Sequence, residues 1–134
     1  MKKLLLPFFL PLGFLFSQEI LSIEPDVGIQ GQDVWVMIYA EDTHFLVADT
    51  VNAPSNVNGV MITSMVDGSI INAISYTPIT ATSLEAMLVI PTYATPGEYN
   101  VTIEQGGIHG AVTVEDLFYI EEEPTIVSVN PSSA

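Results

Sequence analysis

From Ile20 onward the chain alternates apolar and polar positions with a period of two, and Gly, Pro or Asp interrupts the pattern at short, regular intervals. In a strand, successive side chains point to opposite faces, so such alternation sorts residues into an inward and an outward row. Val34–Ala40 gives the clearest case. Val34, Val36, Ile38 and Ala40 form a compact aliphatic row suited to an interior, while Trp35, Met37 and Tyr39 fall on the other face. Tyr99, Val101 and Ile103 make a second inward row opposed by Asn100, Thr102 and Glu104, and Phe118 with Ile120 closes a third. The stretch "SLEAMLVI" has a composition that a helix would accept. Its Leu84, Ala86, Leu88 and Ile90 alternate with Glu85 and Met87, however, and Pro91 ends the run, which makes it a strand.

The same reading places strands at Ile20–Ile23, stopped by Pro25, and at Val34–Ala40, after a turn containing Gly28 and Gly31. Phe45–Val51 is weakly extended, and "NAPSNVNG" is a loop. Val60–Val66 and Ile70–Tyr76 flank Asp67-Gly68, a two-residue hairpin signal. Leu84–Ile90, Tyr99–Glu104, Ala111–Val114 and Leu117–Ile120 complete the series. No stretch holds a helical period for three turns. The pattern is that of an all-β antiparallel sandwich of about seven or eight strands.

Composition changes the picture at the N-terminus. Lys2 and Lys3, the apolar run "LLLPFFLPLGFLF" and the step to Ser17-Gln18 have the form of a secretory signal peptide over residues 1–17. The alternative, a retained membrane anchor, fits less well: Pro7, Pro11 and Gly13 weaken a helix, the run is short for a span, and Glu19 follows at once. Lys2 and Lys3 are the only two basic residues of the 134, against sixteen Asp and Glu from Glu19 to Glu123. A mature chain without Lys or Arg has no phosphate clamps, which excludes nucleic acid as a partner and disfavours anionic lipid surfaces. It also forms no Lys or Arg salt bridges, so burial and hydrogen bonding must hold the fold. There is no cysteine, hence no disulfide, thiolate chemistry or lipidated N-terminal Cys. At this length one core is large enough to do without cross-links.

Several segments together resemble the IPT/TIG family of immunoglobulin-like domains, which occur in tandem in exported bacterial surface proteins. They are "ILSIEPDVGIQGQDVWVMI", "AEDTHF", "SLEAMLVIPTYATPGEYNVTI" and "VEDLFYI". The family pattern of a strand ending in Pro, a Gly turn, an alternating strand and a late P-G-x-Y-x-V element matches Pro25, Gly28 with Gly31, Val34–Ile38, and Pro96-Gly97-Glu98-Tyr99-Asn100-Val101. The resemblance implies an immunoglobulin-like β-sandwich over residues 18–120. It also accounts for a self-similarity: "IVSVNP" near the end repeats "ILSIEP" near the start. Residues 121–124 then read as an acidic linker, and 125–134 as the first strand of a truncated second repeat. Asn52–Thr80 departs from shorter family members, and nothing functional transfers from it.

Candidate chemistry is sparse. His44 and His109 lie far apart in sequence near turns, and His44 is read as structural or solvent-facing. No nucleophile elbow, phosphate loop or metalloprotease helix occurs, so the expectation is a non-enzymatic module. Glu121, Glu122 and Glu123 offer the hard oxygen ligands that Ca²⁺ takes, but no Asp-x-Asp-x-Asp-Gly loop is present and a charge run in a linker is ordinarily solvated. Asn100-Val101-Thr102 matches a glycosylation acceptor inside a strand and is read as coincidence. Trp35, Met37 and Tyr39 are the candidate partner contact, unless a loop or a neighbouring module covers them. The expected role is a spacer or adhesion-type interaction module, with adjacent domains of a longer chain as partners, at the cell surface, outside it or in the periplasm. A carbohydrate-binding accessory role is the alternative, and a solvent-exposed Trp35–Tyr39 stripe would favour it.

Overall fold

Alternation along the chain becomes two sheets packed face to face. The computed structural model describes residues 17–48, 50 and 52–124, and among these it contains nine strands and no helix. They are β1 (Glu19–Glu24), β2 (Val27–Ile29), β3 (Asp33–Glu41), β4 (Val57–Ser64), β5 (Ile70–Asn72), β6 (Ser75–Thr80), β7 (Ser83–Val89), β8 (Gly97–Gln105) and β9 (Ala111–Glu121). One sheet has the order β1-β3-β7-β6 and the other β2-β9-β8-β4-β5. This is an immunoglobulin-like sandwich. The first four-strand set corresponds to A-B-E-D and the β4-β8-β9 set to C-F-G, with β5 added at one edge. All described ladders are antiparallel except β2 with β9, which run parallel. Residues 1–16 of the expected signal segment 1–17, and all of the expected second-repeat strand 125–134, lie outside the described residues.

Every inward row expected from the alternation is buried. Val34, Val36, Ile38 and Ala40 from β3 face Tyr99, Val101 and Ile103 from β8, and Phe118 and Ile120 from β9 complete the second wall. Leu84, Ala86 and Leu88 of β7 and Ile20 and Ile23 of β1 extend the same core. Tyr99 buries its ring completely, and its hydroxyl donates to the Thr95 carbonyl at 2.7 Å. That bond ties the start of β8 to the turn before it, the tyrosine corner of immunoglobulin-like sandwiches. Burial pushes the Tyr99 phenol above its ordinary pKa. No buried side-chain nitrogen or oxygen among the described residues lacks a hydrogen-bond partner.

The strands differ from the expected list at several points. Gly28 lies in β2 rather than in a turn: a Cβ there would sit 2.5 Å from Ile90 Cδ1 and 3.0 Å from Phe118 Cζ, so glycine allows β2 to close against the core. Gly31, in contrast, does make the turn, at φ +82°. Ile70–Tyr76 is not one strand, because the chain changes sheets within it. The Ala73 amide still donates to the Val60 carbonyl, and the next amide, Ile74, donates to Met87 in the opposite sheet. The strand that follows, β6, carries Pro78 at a sheet edge, where a missing N–H breaks no ladder.

The Asp67-Gly68 turn is longer than a two-residue hairpin. Its closing bonds are Ser64 N to Ser69 O and Gly68 N to Ser64 O, and of the two named residues only Gly68 has positive φ, +77°. Finally, Ala111–Val114 and Leu117–Ile120 are one strand, β9, bulged where Asp116 takes φ +59° and its amide is held by Asn100 Oδ1 at 3.1 Å. Asn100 therefore has a structural partner. Phe45 is fully buried, but among the described residues of Phe45–Val51 the one strand pairing is the isolated bridge Leu46–Ser55, and Asp49 and Val51 lie outside the described residues. The loop expected up to Gly59 ends earlier, since β4 begins at Val57.

The inside and outside of β3 predict opposite mutational costs. Ile38→Ala should destabilise by about 2–5 kcal/mol. Trp35→Thr, a swap to another strand-compatible residue on the outer face, should cost under about 1 kcal/mol. Denaturant midpoints of the two variants check this contrast.

Candidate functional site

β3 is paired on both flanks, by β1 and β7, so its outward residues stand on an interior strand of the four-stranded sheet. Trp35 is 53% exposed and Tyr39 42%, and Met37 between them is half-buried. No described loop covers the two rings. The ladder register sets their neighbours: Met87 beside Trp35, Glu24 and Glu85 on either side of Met37, and Ser22 and Ser83 on either side of Tyr39. Val89, beside Asp33, extends the apolar surface at one end. The face is thus a central apolar stripe with carboxylates and hydroxyls along its flanks. At the usual rise of a strand, the Cα atoms of Trp35 and Tyr39 stand roughly 13 Å apart. Trp35 is the only tryptophan of the chain, and the fold spends it on the surface rather than in the core.

The two histidines, distant in sequence, are neighbours in the fold. Their rings stack with centroids 3.8 Å apart and planes 14° from parallel. Gln105, at 5% exposure, organises this corner: its Oε1 accepts the His44 amide at 2.6 Å, and its Nε2 donates to Gln18 Oε1 and to the Gly110 carbonyl. Gln18 Nε2 in turn donates to the His109 carbonyl at 2.9 Å. No sequence spacing signals this pairing, because it depends on the β8–β9 turn folding over the segment after β3. Stacked rings hold their nitrogen lone pairs in two parallel planes. They therefore do not converge on one ion at the roughly 2.0–2.1 Å that a metal–imidazole bond requires.

Among the described residues, no three His, Asp or Glu side chains come together as they would around an ion. Glu121, expected in a linker, belongs to β9: it pairs with Ile29, and its carbonyl accepts the Gln30 amide. The Glu123 amide is held by Gln30 Oε1 at 2.9 Å, so the sandwich extends past residue 120. Glu98 and Asp116 do meet, on the outer face of the other sheet. The Asp116 carboxyl beside it raises the Glu98 pKa, with desolvation adding to the effect.

Sequence reasoning passed over one further acid, Asp67. Thr95 Oγ1 donates to its Oδ2 at 2.6 Å, and the amide and hydroxyl of Ser69 donate to its Oδ1 at 3.0 and 2.7 Å. The Thr95 hydroxyl first, then these Ser69 bonds, hold the Asp67 pKa far below the usual carboxylate range. The turn signal at Asp67-Gly68 was visible in the sequence, but its contact with Thr95 was not.

No protein-family model matches this sequence, and no curated protein is similar to it. Among the described residues, no helix is long and apolar enough to cross a membrane.

The Glu98–Asp116 contact sets a pH dependence. Since the folded-state pKa of Glu98 is raised, the native state takes up this proton more readily than the unfolded chain. Stability then falls as pH rises from the ordinary glutamate range through the raised value. Glu98→Gln should accordingly raise the melting temperature at neutral pH, with the gain shrinking as the pH drops into the acid range. Thermal melts of both proteins across that range check the sign.

Proposed function

We propose that this chain is a non-catalytic spacer and interaction module of a multi-domain exported bacterial protein, of the IPT/TIG-like kind its sequence resembles. The observation that carries the reading is the outward face of β3. A sandwich needs only its inner faces to be apolar, and here Trp35, Met37 and Tyr39 add an apolar outer stripe that no described loop covers. Aromatic side chains on a rigid sheet are efficient contact residues, because little conformational entropy is lost when they are covered. The immunoglobulin-like fold suits serial arrangement. Signal-like residues 1–17 support export, and the repeat of "ILSIEP" as "IVSVNP" supports a following module. Adjacent domains of the same longer protein are then the first partners, and the site of action is the cell surface, the surrounding medium or the periplasm.

The exposure of both rings also favours a second reading, a carbohydrate-binding accessory module of a glycan-capturing or glycan-degrading protein. Trp35 and Tyr39 offer faces on which sugar rings stack, and Glu24, Glu85, Ser22 and Ser83 stand at flanking register positions to accept or donate hydrogen bonds. With no Lys or Arg beyond residue 3, such a face would take neutral rather than anionic glycans.

Two measurements separate the readings. The spacer reading predicts that the reading frame continues past Ala134 into a second module with its own Gly turn and alternating strand; a stop codon there contradicts it. The glycan reading predicts that the protein binds neutral polysaccharides on a glycan array and that Trp35→Ala abolishes the signal. Absence of binding to every glycan removes it.

A further inference from the structure

A second surface, independent of the β3 face, lies at one end of the sandwich between the β4–β5 turn and the β7–β8 turn. Here a cleft of about 290 Å³ is lined by Asp67, Ser69, Ile70, Tyr93 and Thr95, with the tyrosine-corner ring of Tyr99 at its base. Small-molecule sites begin at about 300 Å³, so the space suits a single side chain rather than a larger ligand.

The cleft is built rather than incidental. Tyr99 fixes the Thr95 carbonyl, Thr95 Oγ1 fixes Asp67 Oδ2, and Ser69 fixes Asp67 Oδ1 through two bonds. Three neutral donors orient the Asp67 carboxylate and leave its full negative charge in place. A carboxylate has about four acceptor positions, and these three bonds occupy three of them. Among the described residues there is no Lys or Arg to neutralise it.

Tyr93 supplies the second element. Its neighbour Ala94 is buried and its carbonyl accepts from Gln30 Nε2 at 2.7 Å, so the turn is anchored while Tyr93 stands 85% exposed at the cleft rim. A tyrosine so open contributes little to the core. Ile70, 56% exposed, adds an apolar wall. A fixed carboxylate, an open aromatic face and an apolar wall are the elements that recognise an organic cation: charge for the head, ring for cation–π contact, wall for the methylene stem.

We propose that this cleft receives an arginine or lysine side chain presented by a partner protein. Charge complementarity supports this occupant. The fold is uniformly acidic, with sixteen Asp and Glu beyond residue 18, so it attracts basic partners from a distance. The cleft gives that attraction one specific point of contact.

The test is a titration of the ¹⁵N-labelled protein with N-acetyl-arginine methylamide, using the neutral isostere N-acetyl-citrulline methylamide as control, read from amide chemical shifts. The proposal expects saturable shifts concentrated at Ser69, Tyr93 and Thr95 with the arginine probe and none with citrulline. Tyr93→Ala should weaken binding several-fold, and Asp67→Asn should abolish it. Because Asp67 also braces its turn, the exposed Tyr93 variant keeps the test independent of folding. Shifts scattered over all acidic surfaces, equal shifts with citrulline, no saturable shift, or an unaltered affinity in Tyr93→Ala would each overturn it.

Discussion

A strand paired on both flanks has no freedom over which residues it buries, and β3 is such a strand. With β1 on one side and β7 on the other, its register commits Val34, Val36, Ile38 and Ala40 to the interior and Trp35, Met37 and Tyr39 to the exterior. A slip of one residue would exchange the two rows, placing an indole and a phenol in a core already filled by Tyr99, Phe45 and Phe118. The packing of the opposite sheet is therefore also what holds the aromatic stripe outside. Core and outer aromatic face are two consequences of one register.

The charge distribution leaves this arrangement little other support. Without Lys or Arg beyond residue 3, acids in the sandwich are placed by neutral donors or repel one another. Asp67 shows the first outcome, braced by Ser69 and Thr95, and Glu98 beside Asp116 shows the second. Stability rests on apolar burial and on side-chain hydrogen bonds that close the ends of the sandwich: Tyr99 to Thr95 at one turn, and Gln105 to His44, Gln18 and Gly110 at another. Such a molecule presents an acidic surface in which the exposed aromatic side chains Trp35, Tyr39 and Tyr93 stand out.

How much of this was legible in the sequence follows from the range of the interactions. Rows such as Tyr99-Val101-Ile103 and Phe118-Ile120 were readable because strand alternation is a local property. The glycine turn at Gly31 and the buried phenol of Tyr99 were readable for the same reason. The sheet change between Ala73 and Ile74 was not, since both halves keep strand character and only the partners of their amides differ. Gly28 was misplaced into a turn because its role is a close approach to Ile90 and Phe118, two residues remote in sequence. For the candidate sites, the Trp35–Tyr39 stripe was visible, but its exposure depended on whether another segment covered it. The His44–His109 stack and the Asp67–Thr95 contact join separate turns and left no trace in spacing.

Because Trp35 is the only tryptophan, its fluorescence tests the register directly. The account predicts that the native protein shows the long-wavelength emission of a hydrated indole, and that acrylamide quenches it to an extent approaching that in the denatured chain. Blue-shifted emission resistant to quenching would mean that Trp35 is buried, and would contradict both the assigned register of β3 and the proposed contact face.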